Sequence, residues 1–511
     1  MTDRGDPRAV PALDLARDLG QAATRRAYLV ADVRAAEERL MATLPDGALM
    51  QRAAAGLASA CVDLLRESRA RVYGARVLVL AGSGNNGGDA LYAGARLAGR
   101  GAAVEALLLS PDGAHEGGLA ALRQAGGRLL GAMDANRSAD LVLDGIVGLG
   151  GTPGLRPEAA VVWNKCRQLR ARSGATLVAV DLPSGIGADD GAVAGDHVDA
   201  DVTVTFGAYK VGLLAGPGAR AAGAVDLVDI GLGPYLEPTG GEFRALTADE
   251  VARMLVQHLG PGPDDHKYTR GVVGVAAGSA RYTGAGLLAV EGASCGLAGM
   301  IRFAGPDEVA DLVRARRPEV VVGRGRVQAW VVGSGGGGDA DQVLGWARDE
   351  QVPLVVDADA LQHVSGPLEV PAVLTPHAGE LAGMLGVERE QVEADPVGSA
   401  HDAADRFGAV VLLKGNRTVL TEPGRAAQAA ARPRRTFINT TGTPWLGTAG
   451  AGDVLAGLAG AVLAADGRPL ESAALAAWLH GAAAVHASAG GPIVAMDVAA
   501  ALPPVIRDLV G

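Results

Sequence analysis

The sequence has few cysteines and no long apolar run, and each shortage excludes a class of protein. Cys61, Cys166 and Cys295 lie far apart and form no CxxC pair, which argues against a disulfide framework or a zinc site and favours a reducing compartment. The longest apolar stretches, such as residues 454–465, are rich in Ala and Gly and too short to span a bilayer. The acidic N-terminus contains no apolar segment of the signal-peptide type. We therefore expect a cytoplasmic protein without a membrane partner.

Positive charge is also scarce, and lysine especially so. The net charge of −11 argues against a nucleic-acid partner, because neutralising phosphates requires a basic face. Of the 46 basic residues only four are lysine, and three of these, Lys210, Lys267 and Lys414, fall in the motifs described below. Chance is one explanation. The other is that these positions need a compact ammonium group that arginine cannot replace.

The chain of 511 residues is too long for one core, so two or three domains are expected. We interpret residues 1–27 as a flexible leader, 28–235 as a first domain, 236–245 as a linker and 246–511 as a second domain. In both halves short Val/Leu runs alternate with helical stretches, which indicates βαβ units with parallel sheets. The predicted strands are 76–81, 104–109, 141–144, 177–180 and 202–206, then 272–276, 300–303, 327–332, 354–356, 372–374 and 410–413. The fold class is therefore α/β, beginning with a Rossmann-like doubly wound sheet.

A glycine-rich turn follows the first of these strands. Residues 81–89 read Ala-Gly-Ser-Gly-Asn-Asn-Gly-Gly-Asp, and such a turn exposes backbone N–H groups to an anion at a helix N-terminus. The alternative is an ordinary Asn/Gly turn in which Asp89 caps the helix. Asp144 and Asp181 end two further strands beside Gly-rich loops. Because ligands of open α/β sheets bind at the carboxyl ends of strands, Asp89, Asp144 and Asp181 are expected to converge there.

Together, residues 85–89, 144–154, 181–185 and 205–210 resemble the NAD(P)H-hydrate epimerase family. The resemblance implies that Asp181 is the catalytic acid/base at C6 of the hydrate, and that a potassium ion is bound by Asn86, Asp144 and Ser184. It further implies substrate binding by Asp181 and two loops, whose residues are Asn85, Asn86, Gly87, Gly88, Asp89, Gly148, Leu149, Gly150, Gly151, Thr152, Pro153 and Gly154. The sequence of the second loop, residues 148–154, differs from the Gly-Thr-Gly-Leu sequence that is usual in the family. For Lys210, contact with phosphates and a solvated position are the two alternatives.

Residues 448–453, Thr-Ala-Gly-Ala-Gly-Asp, open a helix in the second half. Small residues leave the backbone N–H groups open, and the helix dipole adds positive potential, so this segment suits a transferring phosphoryl group. Asp453 could then accept the proton of an attacking hydroxyl; the alternative is a simple Asp cap. Further polar loops follow four predicted strands, at 333–337, 357–361, 375–380 and 414–418. A turn histidine is the alternative for His377, and Asp357 and Asp359 are either linked to Mg²⁺ or helix caps.

This set, with residues 266–271 and 277–279, resembles the ribokinase-like fold and, more narrowly, the ADP/ATP-dependent NAD(P)H-hydrate dehydratases. The resemblance implies that Gly335, His377 and Asp453 contact the hydrate, and that Mg²⁺ accompanies ADP or ATP. The residues implied to hold the nucleotide are Lys414, Gly415, Asn416, Arg417, Thr418, Gly450 and Gly452, with the stretch 439–452. Trp445 stands where the family usually has glycine, and either stacks on adenine or changes nucleotide preference.

These motifs predict a bifunctional repair enzyme that epimerises hydrated NADH and NADPH (NADHX and NADPHX) and dehydrates the S form. We expect it to be a homo-oligomer. One rival hypothesis is a small-molecule kinase, which would share the anion hole and the base but has no need of the N-terminal motifs. A second is that the N-terminal domain only binds or scaffolds. Burial of Asp181 and Asp453 in ion pairs, away from any cavity, would contradict the repair hypothesis.

Overall fold

A computed structural model describes residues 25–424 and 433–511 and divides into two compact units. The first unit comprises residues 26–243, and the second comprises residues 244–392 and 396–511. The division falls within the segment 236–245 that we predict as a linker. Residues 1–24 of the predicted leader lie outside the described residues, and residues 25–27 belong to a strand.

The first unit alternates strands and helices. Its strands are β1 (Arg25–Tyr28), β2 (Arg76–Ala81), β3 (Ala103–Leu108), β4 (Arg128–Leu130), β5 (Leu141–Gly145), β6 (Thr176–Val180), β7 (Val202–Phe206), β8 (Tyr209–Lys210) and β9 (Ala224–Val228). Its helices are α1 (Val30–Met41), α2 (Ala48–Arg69), α3 (Asn85–Ala98), α4 (Glu116–Gln124), α5 (Pro157–Ser173), α6 (Val211–Leu214) and α7 (Gly216–Ala221).

Seven of these strands form one parallel sheet in the order β4-β3-β2-β5-β6-β7-β9. Strand β2 is apolar on both faces, because Val77 and Val79 pack in one core cluster and Leu78 and Leu80 in another. That double burial explains why the strand reads as a continuous apolar run. The predicted doubly wound parallel sheet is confirmed.

Helix α2 has the length and hydropathy of a membrane span, judged by these two properties alone. Its Leu57, Cys61 and Leu65 are nevertheless fully buried in the core of this unit. The absence of a membrane partner stays a prediction.

The second unit is again a series of alternating elements. Its strands are β10 (Glu242–Ala245), β11 (Val272–Ala276), β12 (Met300–Phe303), β13 (Val321–Val322), β14 (Ala329–Val332), β15 (Leu354–Val356), β16 (Ala372–Leu374), β17 (Val410–Leu413), β18 (Thr418–Thr421) and β19 (Arg435–Asn439). Its helices are α8 (Ala248–Met254), α9 (Thr283–Ala293), α10 (Asp307–Arg316), α11 (Ala340–Asp349), α12 (Ala378–Leu385), α13 (Arg389–Ala394), α14 (Pro396–Phe407), α15 (Ala451–Asp466), α16 (Pro469–Ser488) and α17 (Ala495–Val510).

Nine of these strands run in the order β13-β12-β11-β14-β15-β16-β17-β18-β19. The strands from β13 to β17 are parallel, as predicted, whereas β18 and β19 are antiparallel to their neighbours. Only residues 414–417 separate β17 from β18, and so short a connection requires a hairpin. The predicted parallel strands are confirmed, and the two antiparallel strands at this edge were not predicted.

Helices α9 and α15 cross at glycines. A Cβ atom on Gly457 would lie 1.9 Å from the carbonyl oxygen of Ala289, and one on Gly292 would lie 2.0 Å from that of Val454. No side chain fits at these distances, so glycine is what lets the two backbones touch. Helix α15, which carries Asp453, therefore packs with its backbone in direct contact with that of α9.

Candidate active sites

The glycine-rich turn of the first unit packs against the end of β5. The Gly82 amide donates to the Gly145 carbonyl at 3.0 Å, and a Cβ atom on Gly82 would lie 1.9 Å from the Ile146 oxygen. Helix α3 begins after Gly84, with no side-chain cap. Asp89 therefore does not cap this helix, and the cap interpretation is wrong.

Asp144 and Ser184 form a buried polar pair beside this turn. Ser184 donates from its Oγ to Asp144 Oδ1 at 2.7 Å and from its amide to Oδ2 at 2.8 Å. Asp144 is fully buried, and burial raises its pKa to about 6 although the bonds from Ser184 and Ile146 oppose the rise. Asn86 lies against the loop that follows Asp144: a Cβ atom on Gly148 would lie 2.9 Å from Asn86 Oδ1, and the preceding Val147 amide donates to Ser184 Oγ at 2.9 Å. The three predicted potassium ligands thus all lie at the loop after β5.

Asp181 follows β6 in the left-handed backbone region, with φ of 65°, which a non-glycine residue adopts only at a cost. Its Oδ1 accepts from Thr205 Oγ1 at 3.0 Å, from the Phe206 amide at 3.1 Å and from Lys210 Nζ. Lys210 is 1% exposed and also donates to Thr205 Oγ1 at 3.0 Å. Neither alternative for Lys210, phosphate contact or solvation, matches this buried ion pair with Asp181.

Two residues of α1 that sequence reasoning missed reach this site. Arg34 donates to the Leu149 carbonyl at 3.4 Å, so it contacts the predicted substrate loop. Glu37 has a raised pKa because burial and Asp181 outweigh the attraction of Lys210 and Arg34, burial being the largest effect. Their distance along the chain from every motif left no local pattern that could have identified them.

Asp357 accepts hydrogen bonds from three other loops at the site in the second unit. Its Oδ1 accepts from Lys414 Nζ at 2.9 Å and from Thr375 Oγ1 at 2.7 Å, and its Oδ2 accepts from Ser334 Oγ at 2.8 Å. Lys414 Nζ also lies 3.8 Å from Glu380 Oε2. Although burial opposes it, the pKa of Lys414 is raised, because Asp357 and Glu380 stabilise the ammonium. Four loops at strand ends are thus joined by one polar cluster.

Asp453 stands in the first turn of α15 beside this cluster. The N-cap of α15 is Gly450 in the left-handed conformation and makes no side-chain capping bond, so the Asp-cap alternative for Asp453 is wrong. Burial, and then the negative charge of Asp357, raise the pKa of Asp453 to about 7, although Lys414 opposes the rise. A carboxylate with that pKa is suited to general-base catalysis near neutral pH.

His377 and the predicted nucleotide segments lie around the same loops. The Nδ1 atom of His377 accepts from the Glu380 amide at 3.0 Å, which makes it the N-cap of α12, as the turn-histidine alternative expects. Arg417 donates to the Thr440 carbonyl at 2.9 Å, so segments 414–418 and 439–452 lie side by side. Trp445 remains 46% exposed.

The repair hypothesis would be contradicted if both Asp181 and Asp453 were buried in ion pairs away from a cavity, and only Asp181 is in such a pair. Asp181 is in a buried ion pair, yet its donors from the described residues all reach Oδ1 and leave Oδ2 without one. Asp453 forms no ion pair with any described residue. A cavity of about 440 Å³ lies elsewhere, near Arg76 and Arg128 at the amino ends of β2 to β4. Both carboxylates therefore keep an atom that can accept a proton.

Comparisons with known proteins agree with the two-unit division. The family model for NAD(P)H-hydrate dehydratase matches residues 273–502, and that for the YjeF-related protein N-terminus matches residues 46–212. The bifunctional NAD(P)H-hydrate repair enzyme Nnr of Mycobacterium leprae is 44% identical over 483 residues, which cover 92% of this chain and 95% of that protein. The chain belongs to the family of bifunctional NAD(P)H-hydrate repair enzymes.

Lower identities are found with other relatives. The Nnr protein of Corynebacterium glutamicum is 35% identical over 465 residues, which cover 76% of this chain and 78% of that protein. Among solved structures, the ADP/ATP-dependent NAD(P)H-hydrate dehydratase of Bacillus subtilis, co-crystallised with ATP/Mg²⁺, is 26% identical and has a TM-score of 0.47. The match covers 52% of this chain and 98% of the Bacillus subtilis chain.

Family membership confirms the predicted type of protein but assigns no residue. The roles of Asp181, Asp453 and the binding loops, from Asn85–Asp89 and Gly148–Gly154 to Gly335, stay predictions. Within residues 25–424 and 433–511, no group of three or more His, Cys, Asp or Glu side chains is arranged to hold a metal ion.

Proposed function

We propose that this chain interconverts the R and S forms of hydrated NADH and NADPH in its first unit and dehydrates the S form in its second. The dehydration consumes ADP or ATP with Mg²⁺. The observation that carries the proposal is that each unit holds its candidate base, Asp181 or Asp453, in a polar cluster that includes a lysine at the carboxyl end of the sheet.

In the second unit, Asp453 removes the proton of the C6 hydroxyl, whose oxygen attacks the terminal phosphorus of the nucleotide. The bond from phosphorus to the nucleotide's bridging oxygen breaks as the new bond forms. Phosphate then leaves with the C6–O electron pair, and loss of a proton from C5 restores the nicotinamide. The N-terminus of α15 favours the charge on the transferring group, which is where such reactions gain most of their rate.

The residues around Asp453 fit a magnesium nucleotide. Asp357, Glu380 and Asp453 act on the ammonium of Lys414, and Asp359 acts on Asp453, so carboxylates outnumber ammonium groups among these residues. Mg²⁺ binds proteins through one or two carboxylates plus phosphate oxygens, and Asp357 and Asp359 would be those carboxylates. When bound, the ion neutralises charge on the phosphates.

The first unit fits a potassium ion at Asn86, Asp144 and Ser184. Burial raises the pKa of Asp144, and the described groups that oppose this rise are the hydrogen bonds from Ser184 and Ile146, none of which carries a positive charge. A monovalent cation would supply that missing charge, and amide, hydroxyl and carboxylate oxygens are suitable hard ligands.

Epimerase activity is expected to rise saturably with potassium chloride when tetramethylammonium chloride keeps the ionic strength constant. Ser184→Ala removes one predicted ligand, so it should require at least about tenfold more potassium, equivalent to about 1.4 kcal/mol. Rates of R-to-S conversion, followed by chromatography, measure the effect. The substitution Ser173→Ala, at the end of α5, is the matched control. Activity of the wild type that ignores potassium would contradict the assignment.

Supplying NADH hydrate with ADP or ATP tests the overall function directly. We expect the absorbance of NADH to reappear, and the S form to be replenished from the R form. Running the assay with each nucleotide also establishes which one is preferred. Phosphorylation of a vitamin precursor or sugar, without recovery of NADH, would instead favour the small-molecule kinase.

We also propose that the protein has no nucleic-acid partner, which its net charge of −11 supports. The scattered, unpaired cysteines support a cytoplasmic location. A homo-oligomeric state is proposed from the resemblance alone, and sedimentation of the purified protein tests it.

A further inference from the structure

Asp89 is a buried carboxyl group without a hydrogen-bond donor. It is 8% exposed, and its Oδ1 has no partner in the part of the chain that the structure describes. The charged groups that face it are Asp181, Glu37 and Lys210. His115, whose ring lies against Gly88, uses its Nδ1 to accept from the Gly118 amide. Asp89 therefore has two carboxylate neighbours and only one ammonium neighbour.

Such surroundings favour the neutral form of Asp89. Burial without donors disfavours a carboxylate, and two like charges nearby add to the effect. In agreement, burial, followed by Asp181 and Glu37, raises the pKa of Asp89 well above its usual range, and Lys210 only partly opposes this. Asp181 has different surroundings, because three hydrogen-bond donors reach its Oδ1. One site thus holds two carboxyl groups in contrasting environments.

The two carboxyl groups enter the site from different strands. Asp89 belongs to the helix that follows β2, and Asp181 directly follows β6, while β5 lies between those strands in the sheet. Strands two positions apart are about 9–10 Å apart. Because β2 and β6 flank β5, the elements that carry the two groups lie on opposite sides of β5 at the carboxyl end of the sheet.

We propose that Asp89 is the proton donor of the epimerase, acting on the C6 hydroxyl from the face of the ring opposite to Asp181. The inference rests on the proposed function of the first unit and deepens it. It assigns a second catalytic residue and fixes the order in which bonds break and form.

The reaction balances without any added reagent except water. Asp89 gives its proton to the C6 hydroxyl, the C6–O bond breaks with its electron pair on the oxygen, and water leaves as the N1 lone pair forms an N1=C6 double bond. A second water molecule then attacks C6 from the other face and loses its proton to Asp181, while the double-bond pair returns to N1. Proton exchange with solvent resets both carboxyls, and the reverse reaction exchanges their roles.

An isotope experiment tests this order of events on the unaltered enzyme. In water enriched in ¹⁸O, each inversion must place a solvent oxygen at C6, because the leaving and entering molecules occupy opposite faces. Mass spectrometry of the S form, after the first turnover from pure R form, measures the incorporation against the uncatalysed background. Inversion that retains the original oxygen, as ring opening between N1 and C6 would give, overturns the proposal.

Substitution separates proton donation from binding. The wild-type epimerase rate should fall at alkaline pH, where Asp89 loses the proton that it donates. Asp89→Asn should lower epimerase kcat by about 10²- to 10⁴-fold with a much smaller change in KM, and should abolish that fall. Asp89→Glu should recover part of both properties. The exposed Asp112→Asn is the matched control.

The outcomes distinguish the possible failures. A wild-type enzyme that does not interconvert the two forms contradicts the proposed function itself. An active wild type with an Asp89→Asn variant that keeps kcat and the alkaline fall overturns the assignment of Asp89. If Glu37→Gln removes that fall and Asp89→Asn does not, the donor is Glu37 and the inference is wrong. If Asp89→Asn does not fold, the kcat and pH profile of Asp89→Glu test the assignment of Asp89, and the isotope result tests the order of events without any variant.

Discussion

Asp453→Asn is expected to lower the turnover of the dehydratase by about 10²- to 10⁴-fold, the usual contribution of a general base. Asparagine keeps the size of the side chain but cannot accept the proton of the C6 hydroxyl. The loss should therefore appear in kcat, with KM for the hydrate nearly unchanged. Recovery of NADH absorbance from S-form hydrate in the presence of ATP measures it.

The pH dependence of the same reaction provides a second readout. The raised pKa of Asp453, about 7, means that the group is protonated and inactive as a base below that pH. The wild-type rate should accordingly rise as the pH increases through 7 and then level off, whereas the residual rate of Asp453→Asn should lack this step. Asp349→Asn, on the exposed surface of the same unit, is the control. A variant with near-normal turnover would exclude Asp453 as the base.

Asp181→Asn is expected to lower the rate of R-to-S conversion by a factor similar to that expected for Asp453→Asn in the dehydratase. Dehydration of pure S form should continue. The carboxylate accepts bonds from Thr205, Phe206 and Lys210, and an amide oxygen can still accept them. What asparagine cannot do is take up a proton from water at C6. Supplying R form alone, and timing its consumption by the complete enzyme, isolates this effect.

Alanine at position 181 would be a poorer test. It would leave Lys210, which is 1% exposed, without its carboxylate, and breaking a buried pair in this way costs about 3–5 kcal/mol. Thermal unfolding of Asp181→Asn and of the exposed control Asp63→Asn shows whether the fold is kept. A folded Asp181→Asn enzyme that interconverts the two forms at the wild-type rate would leave the N-terminal unit as a binding module.

The elements that carry the chemistry were largely predictable from local sequence. Buried parallel strands read as short apolar runs, so β2, β7, β11 and β17 were found at their observed bounds. Glycine-rich turns after strands identified where both sites lie. Local patterns did not reveal the edge strands β18 and β19, whose pairing is set by the short connection from β17 rather than by any periodicity.

The partners of the catalytic groups were harder to predict, because they come from distant parts of the chain. Glu37 and Arg34 occupy the face of an ordinary amphipathic helix, and nothing in their neighbours indicates a site. Lys210 was noticed only because lysine is so rare, and its contact with Asp181 depends on how two loops fold. Side-chain geometry of this kind requires the tertiary structure.

The contact between α9 and α15 has a consequence for how this enzyme can vary. Gly292 and Gly457 fix the depth at which α15 sits, and Asp453 stands at its first turn. A methyl group at either crossing point would meet a backbone oxygen at 1.9 or 2.0 Å, so one of the two helices would have to move. Reaction rates fall when a reacting group is misplaced even slightly, so such a substitution should impair the dehydratase as well as the packing of this unit. Variation at this helix crossing is therefore limited by activity and by stability together.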